Sequence, residues 1–193
     1  MRTALKERAR RVVQPVARGL VRLGVSPNGL TLFAFLASVG AGVLFGLGAF
    51  AWGALVLLVA GLGDMLDGAV AREGGTTTTF GAFFDSTMDR YAELAVFGGY
   101  LAYFVREGSL LYALLSFLAA GGSFGVSYAR ARAEGLGVDC RVGLMERPER
   151  MVLLLVASAV GPAGVRVALW ILTALVYWTG WQRIRHVLGA TRP

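Results

Sequence analysis

Long stretches without charged side chains alternate with short charged segments along this chain. Residues 23–63 carry no charged side chain, and residues 108–129 form a second uncharged stretch. Since one membrane-spanning helix needs about 20 apolar residues, the first stretch is long enough for two helices and the second for one. The glycine-rich segment 46–53 divides the first stretch at a turn signal.

Three further apolar stretches complete the pattern. Residues 80–104 are apolar apart from a few charged side chains, and residues 151–165 and 167–182 are separated by Gly161-Pro162-Ala163-Gly164, another turn signal. The pattern predicts an all-α integral membrane protein with six transmembrane helices. The predicted helices cover residues 29–47, 51–71, 80–104, 108–133, 148–163 and 165–186.

Basic and apolar residues are interleaved before the first predicted span. This pattern over residues 1–22 predicts an amphipathic helix in the membrane interface, with its basic side toward anionic headgroups. A disordered basic tail is the alternative for so short a segment. We therefore expect one domain over residues 1–193, in which a juxtamembrane helix, 1–22, precedes a six-helix bundle, 23–193.

Two polar segments mark where helices begin. Ser26 followed by Pro27 is typical of an N-cap and a first helical residue, and it predicts the start of the first span. Residues 76–79 are four consecutive threonines, and we expect Thr79 to cap the third span.

Composition and charge agree with a membrane protein. The 193 residues are 56% hydrophobic and 16% charged, whereas soluble domains contain about 25% charged residues. The net charge of +7 suits either a nucleic acid or an anionic membrane surface. Sixteen of the nineteen basic residues fall on one side of the predicted membrane. The positive-inside rule then predicts a multi-pass protein of the cell membrane with both termini cytoplasmic, and no nucleic-acid partner is needed to explain the charge.

Four of the five aspartates fall on the second and third predicted helices. Asp64 and Asp67 are three residues apart and Asp85 and Asp89 are four apart, so each pair shares a helix face. A charge within the bilayer costs at least about 2.5–3.5 kcal/mol, which predicts that bound cations offset the carboxylates. Oxygen ligands alone favour Mg²⁺, Mn²⁺ or Ca²⁺. Glu93, four residues further on, is a candidate to orient a ligand or to pair with Arg90.

Small residues and an arginine accompany these acids. Gly68, Ala71 and Gly81 would let a ligand approach the backbone, and Arg72 offers a fork for phosphate oxygens. The combination predicts a diphosphate site. A polar patch that holds the bundle together is one alternative, and a cation or proton transporter is another. A transporter explains none of the small residues, and Arg72 would repel its cation.

The segment from Asp64 to Asp89 resembles the signature of the CDP-alcohol phosphotransferase family at all eight fixed positions. These positions are Asp64, Asp67, Gly68, Ala71, Arg72, Gly81, Asp85 and Asp89. The resemblance implies a six-helix membrane enzyme with cytoplasmic termini. Such enzymes transfer the phospho-alcohol of a CDP-alcohol, often CDP-diacylglycerol, to the hydroxyl of an acceptor and release CMP.

The resemblance also implies roles for these residues. Asp64, Asp67, Asp85 and Asp89 would hold two Mg²⁺ or Mn²⁺ ions, and Asp89 would be the catalytic base for the acceptor hydroxyl. The CDP site implied by the signature consists of Asp64, Asp67, Gly68, Ala71, Arg72, Gly81 and Asp85.

Three segments, 85–90, 127–134 and 146–150, resemble the bacterial phosphatidylinositol-phosphate synthases of that family. This likeness implies inositol phosphate as the acceptor, and glycerol 3-phosphate, used by phosphatidylglycerophosphate synthases, is the alternative. The implied pocket for the acceptor phosphate consists of Ser127, Arg130, Arg147, Arg183 and Arg185. Arg130 stands where those enzymes typically have lysine. Positive-inside anchoring is the alternative role for the arginines.

A glycine pair marks the fourth predicted span. Small residues around Gly121-Gly122 would suit either a homodimer face or close packing inside one bundle, because both arrangements use small side chains.

Overall fold

The structure, a computed structural model, describes residues 13–191, and within them the regular elements are helices. Helix α1 covers residues 13–22, so residues 1–12 of the predicted interfacial helix lie outside the described part. Six helices follow, and their ends lie within four residues of the predicted ones. They are α2 (Pro27–Gly46), α3 (Phe50–Glu73), α4 (Thr79–Arg106), α5 (Leu110–Gly135), α6 (Arg147–Val160) and α7 (Pro162–Ala190).

Four helices of this described part are long and apolar enough to cross a membrane, namely α2, α3, α5 and α7. The chain is therefore a helical membrane protein. Helix α4 is 28 residues long but carries the charged residues of the acidic region, and α6 has only 14 residues.

Side-chain caps set the starts of two helices. The Ser26 hydroxyl accepts a hydrogen bond from the Gly29 amide and Pro27 opens α2, which confirms the predicted cap. The expectation for Thr79 is wrong by one residue, because Thr78 accepts from the Gly81 amide at 2.9 Å. Thr78 has an extended backbone while Thr79 is already helical. The backbone conformation at the end of the loop therefore decides which of the four threonines is the N-cap.

Glycines bring α2 and α4 into backbone contact. A Cβ placed at Gly42 would lie 2.3 Å from the Ala95 carbonyl oxygen, and one at Gly99 would lie 2.1 Å from the Gly42 carbonyl oxygen. A methyl group at either position would therefore separate the two helices. Helix α3 packs against the other side of α2, α5 packs between α4 and α7, and α6 packs against α3 and α7.

Polar contacts lie at both ends of the bundle. At one end, the Arg106 guanidinium donates to the Gly46 carbonyl at 2.7 Å, and Arg166 pairs with Glu107 at 2.7 Å. The four aspartates of the predicted site lie at the opposite end, where α3 finishes and α4 and α6 begin. Thus three helix ends, together with α1, surround the predicted site.

Candidate active site

Three carboxylates converge where α3 ends and α4 begins. Asp64, Asp67 and Asp85 each present an oxygen, and these three oxygens lie within 4.8 Å of one another. The spacing along α3 puts Asp64 and Asp67 on one face, and the adjacent start of α4 supplies Asp85. Because all the donors are carboxylate oxygens, the group fits a hard divalent cation such as Mg²⁺ or Mn²⁺.

Asp67 is held in place by two hydrogen bonds. The Thr31 hydroxyl donates to one carboxylate oxygen of Asp67 at 2.7 Å, and the Gly68 amide donates to the other. Both Thr31 and Asp67 are buried. Sequence analysis did not identify Thr31 as a partner, although a hydroxyl near the start of an apolar helix is a visible signal. Such outer hydrogen bonds orient metal ligands.

Asp89 lies beside this group of three and is paired with arginines. Its carboxylate lies 2.6 Å from Nη2 of Arg147 and 3.4 Å from Nη2 of Arg90. Arg147 also donates to both carboxylate oxygens of Asp64, at 2.9 and 3.0 Å. One guanidinium from α6 thus links the predicted base on α4 to the carboxylate cluster on α3, and its charge reduces their mutual repulsion.

A cavity of about 620 Å³ borders the cluster on the side of α1 and α2. Most of the predicted CDP residues line it, namely Asp67, Gly68, Ala71, Arg72, Gly81 and Asp85. Asp64 instead borders a much smaller gap shared with Asp89 and Arg147. The cavity wall also contains residues outside the signature positions, including Val21, Asn28, Thr31, Thr76 and Thr77.

Two signature glycines leave room for polar groups at the cavity wall. A Cβ at Gly68 would lie 3.2 Å from Nη1 of Arg72, and one at Gly81 would lie 3.0 Å from Oγ1 of Thr78. Side chains there would crowd the exposed Arg72 guanidinium and the cap of α4. The glycines therefore keep the cavity open and the Arg72 side chain in its place.

On the other side of the cluster, Ser127 lies between two guanidinium groups. Arg90 donates to its hydroxyl oxygen, and Arg150 approaches the same oxygen at 3.4 Å. The Ser127 hydroxyl itself donates to the Ser123 carbonyl at 3.2 Å. Ser127 and Arg147 therefore belong to one connected set of polar side chains that also contains Asp89.

Glu93 pairs with a different arginine from the one that its position on α4 suggested. It pairs with Arg150 of α6, whereas Arg90 turns back to the Ser86 carbonyl at 3.1 Å and reaches Ser127. The reason is tertiary, because Glu93 faces α6 at the point where α6 begins.

The three remaining predicted arginines lie in different surroundings. Arg130 pairs with Glu134 of its own helix at 2.8 Å. Arg183 is only 2% exposed, and it donates to the backbone carbonyls of Val126 and Val142. The exposed Arg185 places its guanidinium carbon 5.3 Å from the centre of the Trp181 ring.

In a comparison with known proteins, the chain matches the model of one family. A family model described as CDP-alcohol phosphatidyltransferase matches residues 24–182. The chain is 42% identical over 188 residues to a phosphatidylinositol phosphate synthase of Mycobacterium marinum. The matched region covers 92% of this chain and 80% of that protein. It is 37% identical over 182 residues to an archaetidylinositol phosphate synthase of Methanothermobacter thermautotrophicus, covering 92% and 89%, respectively.

Solved structures agree with these sequence matches. A crystal structure of the Mycobacterium tuberculosis phosphatidylinositol phosphate synthase with CDP-DAG bound is similar with a TM-score of 0.85 and 36% identity, covering 95% of this chain and 98% of that one. The same enzyme in complex with manganese and citrate also gives a TM-score of 0.85 at 36% identity, covering 94% and 92%.

Proposed function

The chain belongs to the CDP-alcohol phosphatidyltransferase family, and we propose on that basis that it makes phosphatidylinositol phosphate. In this reaction the phosphatidyl group of CDP-diacylglycerol moves to a hydroxyl of inositol phosphate and CMP is released. The observation that supports this most directly is the three-carboxylate cluster beside a cavity of about 620 Å³. A cavity of that volume is typical of small-molecule sites.

The donor nucleotide is proposed to bind in this cavity. Among the described residues that line the cavity, Arg72 offers a positive charge to the diphosphate, and Gly68, Ala71 and Gly81 let the ligand approach the backbone. Asp64, Asp67 and Asp85, completed by Asp89, are proposed to hold two Mg²⁺ or Mn²⁺ ions. Such ions, when bound, neutralise a diphosphate and stabilise the leaving oxygen of CMP.

Asp89 is proposed to act as the general base. It accepts the proton of the acceptor hydroxyl as that oxygen bonds to the phosphorus next to diacylglycerol, and the bond from this phosphorus to the CMP oxygen breaks. Arg147, which contacts both Asp89 and Asp64, holds the base beside the cluster. This contact fixes the distance between the proton acceptor and the bond that breaks.

The acceptor phosphate is proposed to bind on the α5–α7 side, at Ser127, Arg130, Arg147, Arg183 and Arg185. Ser127 and Arg147 have the strongest support, because their contacts connect them to Asp89. Arg183 is engaged by backbone carbonyls, so it would act by holding the segment before α6. Arg185 is exposed, and its side chain can turn from Trp181 to an incoming anion.

We further propose that α2–α7 all cross the cell membrane and that α1 lies in the cytoplasmic interface, with both termini cytoplasmic and the whole chain forming one domain. The carboxylates and the predicted acceptor arginines then share the cytoplasmic face with the donor headgroup.

A homodimer face on α5 is also proposed. A Cβ at Gly121 would meet nothing within 4 Å, whereas one at Gly122 would meet Val176 at 2.4 Å. Of this glycine pair, Gly121 is therefore the one that is free to contact a second copy.

The proposed reaction is tested by measuring CMP release from labelled CDP-diacylglycerol by the purified protein in lipid nanodiscs. The acceptors compared are inositol phosphate, inositol, glycerol 3-phosphate and serine, each with and without Mg²⁺ or Mn²⁺. We expect metal-dependent release that is fastest with inositol phosphate. Fastest release with glycerol 3-phosphate would make the chain a phosphatidylglycerophosphate synthase. An absence of CMP with every acceptor, together with ion flux in liposomes, would instead support a transporter.

A further inference from the structure

A buried ion pair joins α4 to α6 directly beside the proposed acceptor site. The Glu93 and Arg150 residues are 3% and 1% exposed, respectively. The Arg150 guanidinium donates through Nε to one carboxylate oxygen of Glu93 at 2.6 Å and through Nη2 to the other at 2.9 Å. The two bonds fix the plane of the guanidinium as well as its position.

The same guanidinium reaches two further elements. Its Nη1 donates to the Met145 carbonyl, just before α6, at 3.1 Å, and its Nη2 approaches the Ser127 hydroxyl on α5 at 3.4 Å. Arg150 therefore holds α4, α5 and the start of α6 in one arrangement. Glu93 follows Asp89 by four residues and Arg150 follows Arg147 by three, so the pair lies one helical turn behind the proposed base and its arginine.

Stability alone does not account for such a pair. Taking both charges out of water is costly, and apolar residues of similar volume often stabilise a core equally well. A buried pair can nevertheless specify one arrangement of its helices, since its hydrogen bonds are directional. Here the arrangement that it specifies contains Ser127, Asp89 and Arg147.

We propose that Glu93 and Arg150 are positioning residues for the acceptor half of the reaction. They keep Ser127 and the start of α6 in place, and through α6 they direct Arg147 toward the acceptor phosphate at a fixed distance from Asp89. This inference rests on the proposed function. The CDP cavity lies on the other side of the carboxylate cluster, and neither Glu93 nor Arg150 lines it.

A second buried contact between the same two helices provides a matched control. The hydroxyls of Tyr100 and Ser158 are hydrogen-bonded at 2.5 Å, and both residues are 0% exposed. This contact lies about two turns deeper in the bundle. Tyr100→Phe therefore loosens α4 against α6 without touching the residues around Ser127.

The test measures KM for inositol phosphate, KM for CDP-diacylglycerol and kcat in the Glu93→Leu/Arg150→Met double variant, which leaves no unpaired buried charge. We expect KM for inositol phosphate to rise at least tenfold while KM for CDP-diacylglycerol changes less than twofold. Glu93→Asp and Arg150→Lys keep the charges but alter the geometry, and each should raise the acceptor KM by a smaller factor. These two conservative variants supply the result if the double variant does not fold.

Tyr100→Phe should lower the thermal midpoint while both KM values stay within twofold. The inference is overturned if the folded variants of the pair keep the wild-type acceptor KM, or if both KM values change equally in them and in Tyr100→Phe. Failure of the proposed function is a separate result, because wild-type protein would then release no CMP in response to inositol phosphate.

Discussion

The carboxylate cluster has two sides that are built differently. Toward α1 and α2 it borders a cavity of about 620 Å³ whose wall consists largely of glycines, threonines and other loop residues. Toward α5 and α6 it borders arginine side chains that are already engaged by carboxylates and a serine. The first side is shaped to receive a large ligand, whereas the second is a closely packed set of charges.

The two sides also differ in how far apart their residues lie in the chain. The signature residues around the cavity fall within residues 67–85. The ion pairs of the other side join residues 83 positions apart, for Arg147 and Asp64, and 57 apart, for Arg150 and Glu93. A side made of nearby residues is recognisable as a motif. A side made of distant residues depends on how the helices cross.

The largest effect is expected at Asp85, which belongs to the cluster and lines the cavity. Asp85→Asn removes one of the three converging carboxylates, so CMP release should fall by roughly 10³-fold or more. Mn²⁺ binding, followed by electron paramagnetic resonance, should weaken in parallel. Asp139→Asn is the control, because its side chain is 76% exposed and pairs only loosely with Arg141. Activity close to wild type in Asp85→Asn would show that the cluster is not the metal site.

Arg147→Gln tests whether the arginine side of the cluster binds the acceptor. Loss of a charge-assisted contact of about 1.5–3 kcal/mol should raise KM for inositol phosphate by roughly 10- to 100-fold. Because Arg147 bonds both oxygens of Asp64, the same change should tighten Mn²⁺ binding. Arg132→Gln removes an equal charge from an exposed position and should alter neither quantity. A raised KM for CDP-diacylglycerol alone would contradict the assignment of Arg147 to the acceptor side.

Thr31→Val tests how strongly α2 supports the cluster. The Thr31 hydroxyl orients Asp67, and loss of such a bond costs about 10-fold or more in metal affinity. We expect a weaker Mn²⁺ titration with no change in KM for the acceptor. Ser38→Ala is matched on the same helix, since its hydroxyl donates only to the Ala34 carbonyl of α2. Equal Mn²⁺ affinities in the two variants would mean that Asp67 needs no support from α2.

The smallest effect is expected at the outer wall of the cavity. Arg18 of α1 pairs with Glu73 at the end of α3 at 2.7 Å, and the two side chains are 55% and 28% exposed. Exposed pairs contribute about 0–1 kcal/mol, so Arg18→Gln should raise KM for CDP-diacylglycerol less than about fivefold. Arg22→Gln, on the same helix, is the comparison. An increase beyond tenfold in Arg18→Gln alone would show that α1 is an essential wall of the cavity.

Much of the fold follows from local patterns in the chain. Uncharged stretches and turn signals located the six helices after α1, because the length of a helix and the place where it ends depend on neighbouring residues. The spacing of Asp64 with Asp67 placed both on one face of α3, and the signature indicated the family. Ser26 and Pro27 marked the start of α2 for the same local reason.

The pairing of side chains between helices could not be obtained in this way. Spacing places Glu93 on the face of α4 that also carries Asp89, but the partner of Glu93 depends on which helix lies opposite. The backbone contact at Gly42 and Gly99 sets how closely α2 and α4 approach, and the packing of α6 against α3 brings Arg147 to Asp64. Residue spacing describes one helix at a time, whereas a pairing between helices follows from all the packing contacts together. The carboxylates and the family are therefore readable in the chain, while the partners of Glu93, Arg147 and Asp67 emerge from the folded bundle.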